Sequence, residues 1–105
     1  MVERRQIDEA IKILADTARP LRIILFGSYA RGEETEDSDV DLLVVEREVA
    51  DRRQEMTRLR RALAPLAMPV DMLVVSEAYF QKWSEAPSTT LYWAKREGQV
   101  MYDAA

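Results

Sequence analysis

The sequence predicts a small α/β (α+β) fold, a mixed sheet with helices packed on it, formed as a single domain over residues 1–105. Three observations carry that prediction. Apolar residues return at steps of three and four through residues 3–18 and again through 51–66, the stripe of a helix with one buried face. Short runs rich in Ile, Leu and Val at 21–26, 40–45 and 70–75 have strand length and little polar alternation, as in a sheet covered by helices. With 105 residues, 48% hydrophobic and 32% charged, the chain has the size and balance of one globular domain. A domain of this length buries roughly two thirds of its unfolded surface and holds a core without disulfides or structural zinc.

Ile7, Ala10, Ile11, Leu14 and Ala18 form the stripe of the first helix, and Pro20 stops it. Leu21 to Phe26, interrupted only by Arg22, is a buried strand that ends at Gly27 and Ser28. A polar stretch containing Gly and Ser runs on to Ser38. Val40 to Val45 is the second strand, apolar on both faces beyond Asp41. Met56, Leu59, Leu63 and Leu66 define a second helix from Asp51 to about Leu66, with an Arg-rich outer face and Pro65 ending it. Pro69 opens a third strand, Val70 to Val75, where its missing N–H is tolerated. Ser76 and Glu77 start a short helix to about Trp83, Ser88 caps another, and Gly98 ends that one in the C′ position. Val100 to Tyr102 adds an edge strand.

Cysteine and histidine are both absent, which excludes zinc fingers, Cys-His pairs, Ser-His-Asp triads and histidine metal sites together. Chemistry must come from carboxylates, hydroxyls, Lys, Arg, Tyr or a bound ion. The net charge of −4 argues against a protein that mainly grips nucleic-acid phosphates, so no direct nucleic-acid binding is expected. The imbalance is local: Glu33, Glu34, Glu36, Asp37, Asp39 and Asp41 put six acids in nine residues. The longest apolar runs are strand-length and Met1 leads straight into a charged segment, so neither a signal peptide nor a membrane span is expected and the cytoplasm is the expected location.

On a strand, residues i and i+2 face the same way about 6.6 Å apart, so Asp39 and Asp41 project side by side. Asp71 opens the third strand much as they open the second. The helical connection between those strands suits a parallel crossover, which brings the two strand beginnings together. If the first strand lies antiparallel to the second, Gly27 and Ser28 arrive at the same place. Glycine lets backbone come close to a ligand, and the Ser28 hydroxyl with the amides of the following turn can hold phosphate oxygens. An anion cradle facing a carboxylate cluster is reconciled by a divalent cation and a polyphosphate, and with oxygen donors alone the fitting ion is Mg²⁺ or Mn²⁺.

Gly27-Ser28, ten intervening residues and Asp39-Val40-Asp41 resemble the G-S-x10-D-x-D signature of the nucleotidyltransferase fold shared by aminoglycoside nucleotidyltransferases and DNA polymerase β. The wider strings FGSYARG at 26–32 and SDVDLL at 38–43 are most similar to the minimal nucleotidyltransferases, the MNT antitoxins. The resemblance implies two-metal nucleotidyl transfer, with Asp39, Asp41 and Asp71 as catalytic residues and metal ligands and ATP as substrate. It also implies nucleotide binding through Gly27 and Ser28 at the β- and γ-phosphates, and by Arg31 at the leaving pyrophosphate. MNT antitoxins are encoded beside HEPN-domain toxins, which are ribonucleases. The family resemblance therefore implies a HEPN-type toxin as partner and adenylylation of one of its tyrosines.

Each motif also has a plainer reading. A lone Gly-Ser is usually a turn and a lone Asp-x-Asp a solvated strand entry; the company of Asp71 reverses those odds. Arg31 could equally pair with Glu33 or Glu34. The arginines at 52, 53, 58, 60 and 61 are interleaved with acids and have no aromatics beside them in sequence, which favours a solvated face or a protein contact over RNA. Tyr79, Phe80, Trp83, Tyr92 and Trp93 read as helix packing, any exposed member marking a partner interface, and Met56, Met68 and Met72 as core filler. The leading functional expectation is a Mg²⁺-dependent enzyme moving AMP from ATP to a protein hydroxyl. Its rivals are a non-catalytic antitoxin that acts by occlusion, and a small-molecule adenylyltransferase working as a homodimer.

Overall fold

The computed structural model describes residues 1–105. In chain order the elements are α1 (Arg4–Ala18), β1 (Arg22–Phe26), α2 (Ser28–Arg31), β2 (Val40–Glu46), α3 (Arg52–Leu63), β3 (Val70–Ser76), α4 (Glu77–Trp83), α5 (Thr90–Glu97) and β4 (Gln99–Asp103). The four strands form one sheet in the order β3-β2-β1-β4. β1 lies antiparallel to both β2 and β4, and β2 runs parallel to β3 through the α3 crossover.

Strand alternation divides the core in two. Ile23, Leu25, Val40, Leu42, Val44, Met72 and Val74 point to the face covered by α1 and α3, where they meet Ile7, Leu14, Leu59 and Leu63. Ile24, Leu43, Val45 and Val75 point to the other face and meet Phe80 of α4 with Leu91 and Ala94 of α5. A sheet buried on both sides explains why β2 reads as an unbroken apolar run after Asp41. No helix is long and apolar enough to cross a membrane.

Several local expectations change. The polar stretch after β1 opens with a single helical turn, α2, closed by Gly32 in the left-handed conformation. α3 stops at Leu63, and Pro65 sits inside a 3-10 turn over Ala64–Leu66. The cap of α5 is Thr89, not Ser88: its hydroxyl accepts from the Tyr92 amide. Gly98 closes α5 in extended backbone, φ −77°, so it is not the left-handed C′ residue expected. A Cβ there would stand 2.2 Å from the Ala94 carbonyl and 2.5 Å from Ile24 Cγ2, so the glycine admits close packing of α5 on β1. Met72 is fully buried, whereas Met56 and Met68 are half-buried at the edge of the core. Of the aromatic residues Phe80 is buried, but Tyr79, Trp83 and Trp93 are exposed.

Candidate active site

Register decides which side chains meet. Phe26 pairs with Asp41 across β1 and β2, and Asp41 pairs with Asp71 across β2 and β3. The end of β1 and the starts of β2 and β3 therefore lie in one row, with strands about 4.8 Å apart. Asp41 and Asp71 share a parity with Leu43, Val45 and Val75, so they project on the face of α4 and α5, at the end where the apolar covering stops. Asp39 precedes β2; it and Asp71 are exposed while Asp41 is half-buried.

Gly27 and Asp41 are fitted to each other. Gly27 has φ +73° and ψ −155°, a conformation open to glycine alone, and a Cβ on it would lie 2.0 Å from Asp41 Oδ2. The missing side chain is the space the carboxylate occupies. Beyond Gly27, the amides of Ala30 and Arg31 donate to the Gly27 carbonyl, so the turn presents the amides of Ser28 and Tyr29 and the Ser28 hydroxyl at its start. Two tethers hold the turn: Gln99 Nε2 on β4 donates to the Ala30 carbonyl at 3.2 Å, and the Tyr29 hydroxyl accepts from the Val2 amide at 3.0 Å.

Burial raises the Asp41 pKa above the ordinary carboxylate range, Asp71 and Asp39 raise it further by repulsion, and Arg31 opposes them. The three aspartates thus feel one another, although no trio of acidic side chains in the chain converges at joint coordinating distance. A set of oxygen-only donors fits a hard divalent cation. Arg31 is on α2 and its Nε donates to Glu33 Oε1 at 2.9 Å, the plainer pairing, so engaging a phosphate requires exchanging that partner.

Two features had only faint signals in the sequence. Glu46 ends β2 at the opposite end of the strand, almost fully buried; burial and the neighbouring Glu55 push its pKa up to about 8. Glu55 is held down to about 2 by its hydrogen bond from Arg58, with help from Glu46. The signal was a Glu on the core-facing parity of an otherwise apolar strand. In addition, Arg52 of the arginine-rich helix lies 5.5 Å over the Tyr79 ring and Lys82 lies 5.1 Å over Trp83, so aromatics do accompany these cations, supplied by α4.

The nucleotidyltransferase domain family matches residues 7–95. A Methanocaldococcus jannaschii protein named as a protein adenylyltransferase is 34% identical over 107 residues, covering 97% of this chain and all of that relative. Among solved structures, a chain of a toxin–antitoxin complex with AMP-PNP superposes with a TM-score of 0.67 at 23% identity, over 97% of this chain and 74% of that one. A chain from the complex of tri-AMPylated Shewanella oneidensis HEPN toxin with MNT antitoxin gives 0.61 at 20% identity, over 97% and 73%. The likeness to those two structures is one of fold.

Proposed function

The chain belongs to the nucleotidyltransferase domain family and is a transferase of that type, and from that premise we propose that it moves AMP from ATP to a tyrosine hydroxyl of a HEPN-type partner, as an antitoxin. Residues 1–105 act as one catalytic domain, in the cytoplasm. The observation that carries this reading is the row made by Gly27, Asp41 and Asp71, with the Ser28 turn on one side and Asp39 beside it. The protein-adenylyltransferase relative supports the reaction, and the fold shared with chains of the AMP-PNP and tri-AMPylated HEPN complexes supports the nucleotide and the partner.

Asp39, Asp41 and Asp71 would hold Mg²⁺, or Mn²⁺ in its place, which would supply Lewis-acid stabilisation of charge on the phosphoryl oxygens and of the attacking hydroxyl. The Ser28 hydroxyl and the Ser28 and Tyr29 amides hold the β- and γ-phosphates, and Gly27 keeps Asp41 in close approach to them. Arg31, released from Glu33, neutralises charge on the departing pyrophosphate. Asp71, on the far side of Asp41 from the phosphate turn, orients the acceptor hydroxyl and takes its proton as the oxygen attacks the α-phosphorus.

The test is mass transfer. Incubated with Mg²⁺, ATP and a HEPN-domain protein, the chain should add AMP units to tyrosine; label at the α-phosphate should transfer and label at the γ-phosphate should not. Asp39→Asn with Asp41→Asn should end transfer and leave the protein–protein complex intact. Neutralisation with no added mass would leave occlusion as the function, and transfer only to small molecules would leave the homodimeric alternative.

A further inference from the structure

In-line attack requires the acceptor hydroxyl to arrive opposite the leaving pyrophosphate. The phosphate turn follows β1 and Asp71 lies on β3, with β2 between them, so the acceptor comes in over β3, the edge of the sheet. That approach is not bare. Leu73 and Val75 continue the face of Asp71 along β3, and with Leu91 they floor a groove of about 380 Å³ rimmed by Tyr79 and Trp83. Those two rings are 42% and 38% exposed on a domain whose other core aromatic, Phe80, is 4% exposed.

The charge beside the groove is opposite to that of the whole chain. The protein carries a net −4, yet the one charged residue lining this groove is Arg52, with Lys82 stacked over the ring of the lining Trp83; neither is engaged in an ion pair, and no carboxylate lines the groove. Trp, Tyr and Arg around an apolar pocket are the residues that anchor protein partners. A stacking platform for RNA needs open ring faces, and here a face of each ring already carries a cation.

We infer that this groove docks the acceptor protein, taking an apolar side chain onto Leu73, Val75 and Leu91 while flanking carboxylates meet Arg52 and Lys82, so that the target hydroxyl reaches Asp71. The inference rests on the protein-acceptor reading above and adds where that acceptor is gripped. Two measurements separate their failures: transfer of α-labelled AMP to a HEPN-domain protein, and affinity of the same two proteins by calorimetry. Trp83→Ala, Tyr79→Ala and the charge reversal Arg52→Glu with Lys82→Glu are compared with wild type, melting curves serving as folding controls. Docking here predicts a tenfold or greater rise in KM for the HEPN protein, kcat within twofold, the same loss in affinity, and unchanged affinity for AMP-PNP with Mg²⁺. Unaltered KM and affinity would overturn the inference, as would an equal loss of AMP-PNP binding, which would give the rings to the nucleotide. If wild type forms the complex without transferring AMP, the function proposed above fails, while weakened complexes in the variants still support the groove. No complex at all, or binding of a uridine oligonucleotide abolished by the same variants, would overturn it.

Discussion

Replacing Gly27 by alanine tests the site at its tightest point. The backbone at φ +73° and ψ −155° costs a non-glycine residue about 1–3 kcal/mol. The new Cβ would start 2.0 Å from Asp41 Oδ2, and ordinary contact begins at 3.4 Å, so the carboxylate must retreat by about 1.4 Å or the turn must move away from it. Taking about 2 kcal/mol for the backbone alone and about 4–8 °C per kcal/mol for a domain near this size, the melting temperature should fall by at least roughly 8–16 °C, the clash adding to that. AMP transfer should fall at least a hundredfold, because the displaced group is the aspartate proposed to hold metal against the phosphates. A double-mutant cycle separates the parts: Asp41→Gly removes the Oδ2, Cγ and Cβ atoms at 2.0, 2.9 and 3.2 Å, and Gly27→Ala in that background should then cost only its backbone share. Thermal melts and AMP-PNP titrations read both quantities. Wild-type melting and nucleotide affinity in Gly27→Ala would refute the close fit of Gly27 to Asp41 and the role built on it.

Asp41→Asn removes a carboxylate whose pKa burial and two acidic neighbours raise, so at pH 7 it should leave the fold equally stable or slightly steadier, while abolishing the rise in melting temperature that Mg²⁺ should give wild type. A clear loss of stability would make Asp41 a structural residue. Glu46, raised from 4.5 to about 8, contributes stability fully below pH 4.5 and loses it as pH climbs through 8; Glu55, lowered to about 2, contributes above 4.5 and loses it as pH falls through 2. Urea unfolding at pH 5, 7 and 9 should therefore show wild type weakening toward alkaline pH and Glu46→Gln holding steady, whereas parallel profiles would contradict a buried, protonated Glu46 beside an ionised Glu55. Gln99→Leu cuts the tether to the Ala30 carbonyl, worth about 1 kcal/mol, so melting should fall by about 4–8 °C and AMP-PNP should bind more weakly to the loosened turn, as thermal melts and titration calorimetry can show.

The strands and the longer helices were legible because their burial imposes a period, and the acidic row because parallel β2 and β3 and antiparallel β1 follow from connection length. What escaped depended on competition between equivalent neighbours or on partners distant in sequence. Ser88 and Thr89 offer the same capping oxygen, and Thr89 is the one whose hydroxyl also reaches the Trp83 and Ala86 carbonyls at and just past the end of α4. Gly98 looked like a left-handed stop; its reason is Ile24, seventy-four residues earlier in the chain. Arg52 and Tyr79 are unremarkable in their own helices, and their cation–π contact exists because α3 and α4 begin at the same end of the sheet, after β2 and β3.

That shared topology also separates the proposed catalytic row from the proposed docking groove. Because β2 and β3 are parallel, their beginnings collect Asp39, Asp41 and Asp71, and their ends release α3 and α4 toward the opposite pole. The acidic pole suits cations and phosphates; the pole of Arg52, Tyr79 and Trp83 suits an acidic protein surface. Between them Asp71, Leu73 and Val75 lie on one face of one strand, roughly 13 Å from first to last at 3.3 Å per residue. Under the proposed docking, a partner held beside Arg52 needs only a short reach along β3 to bring a hydroxyl to Asp71.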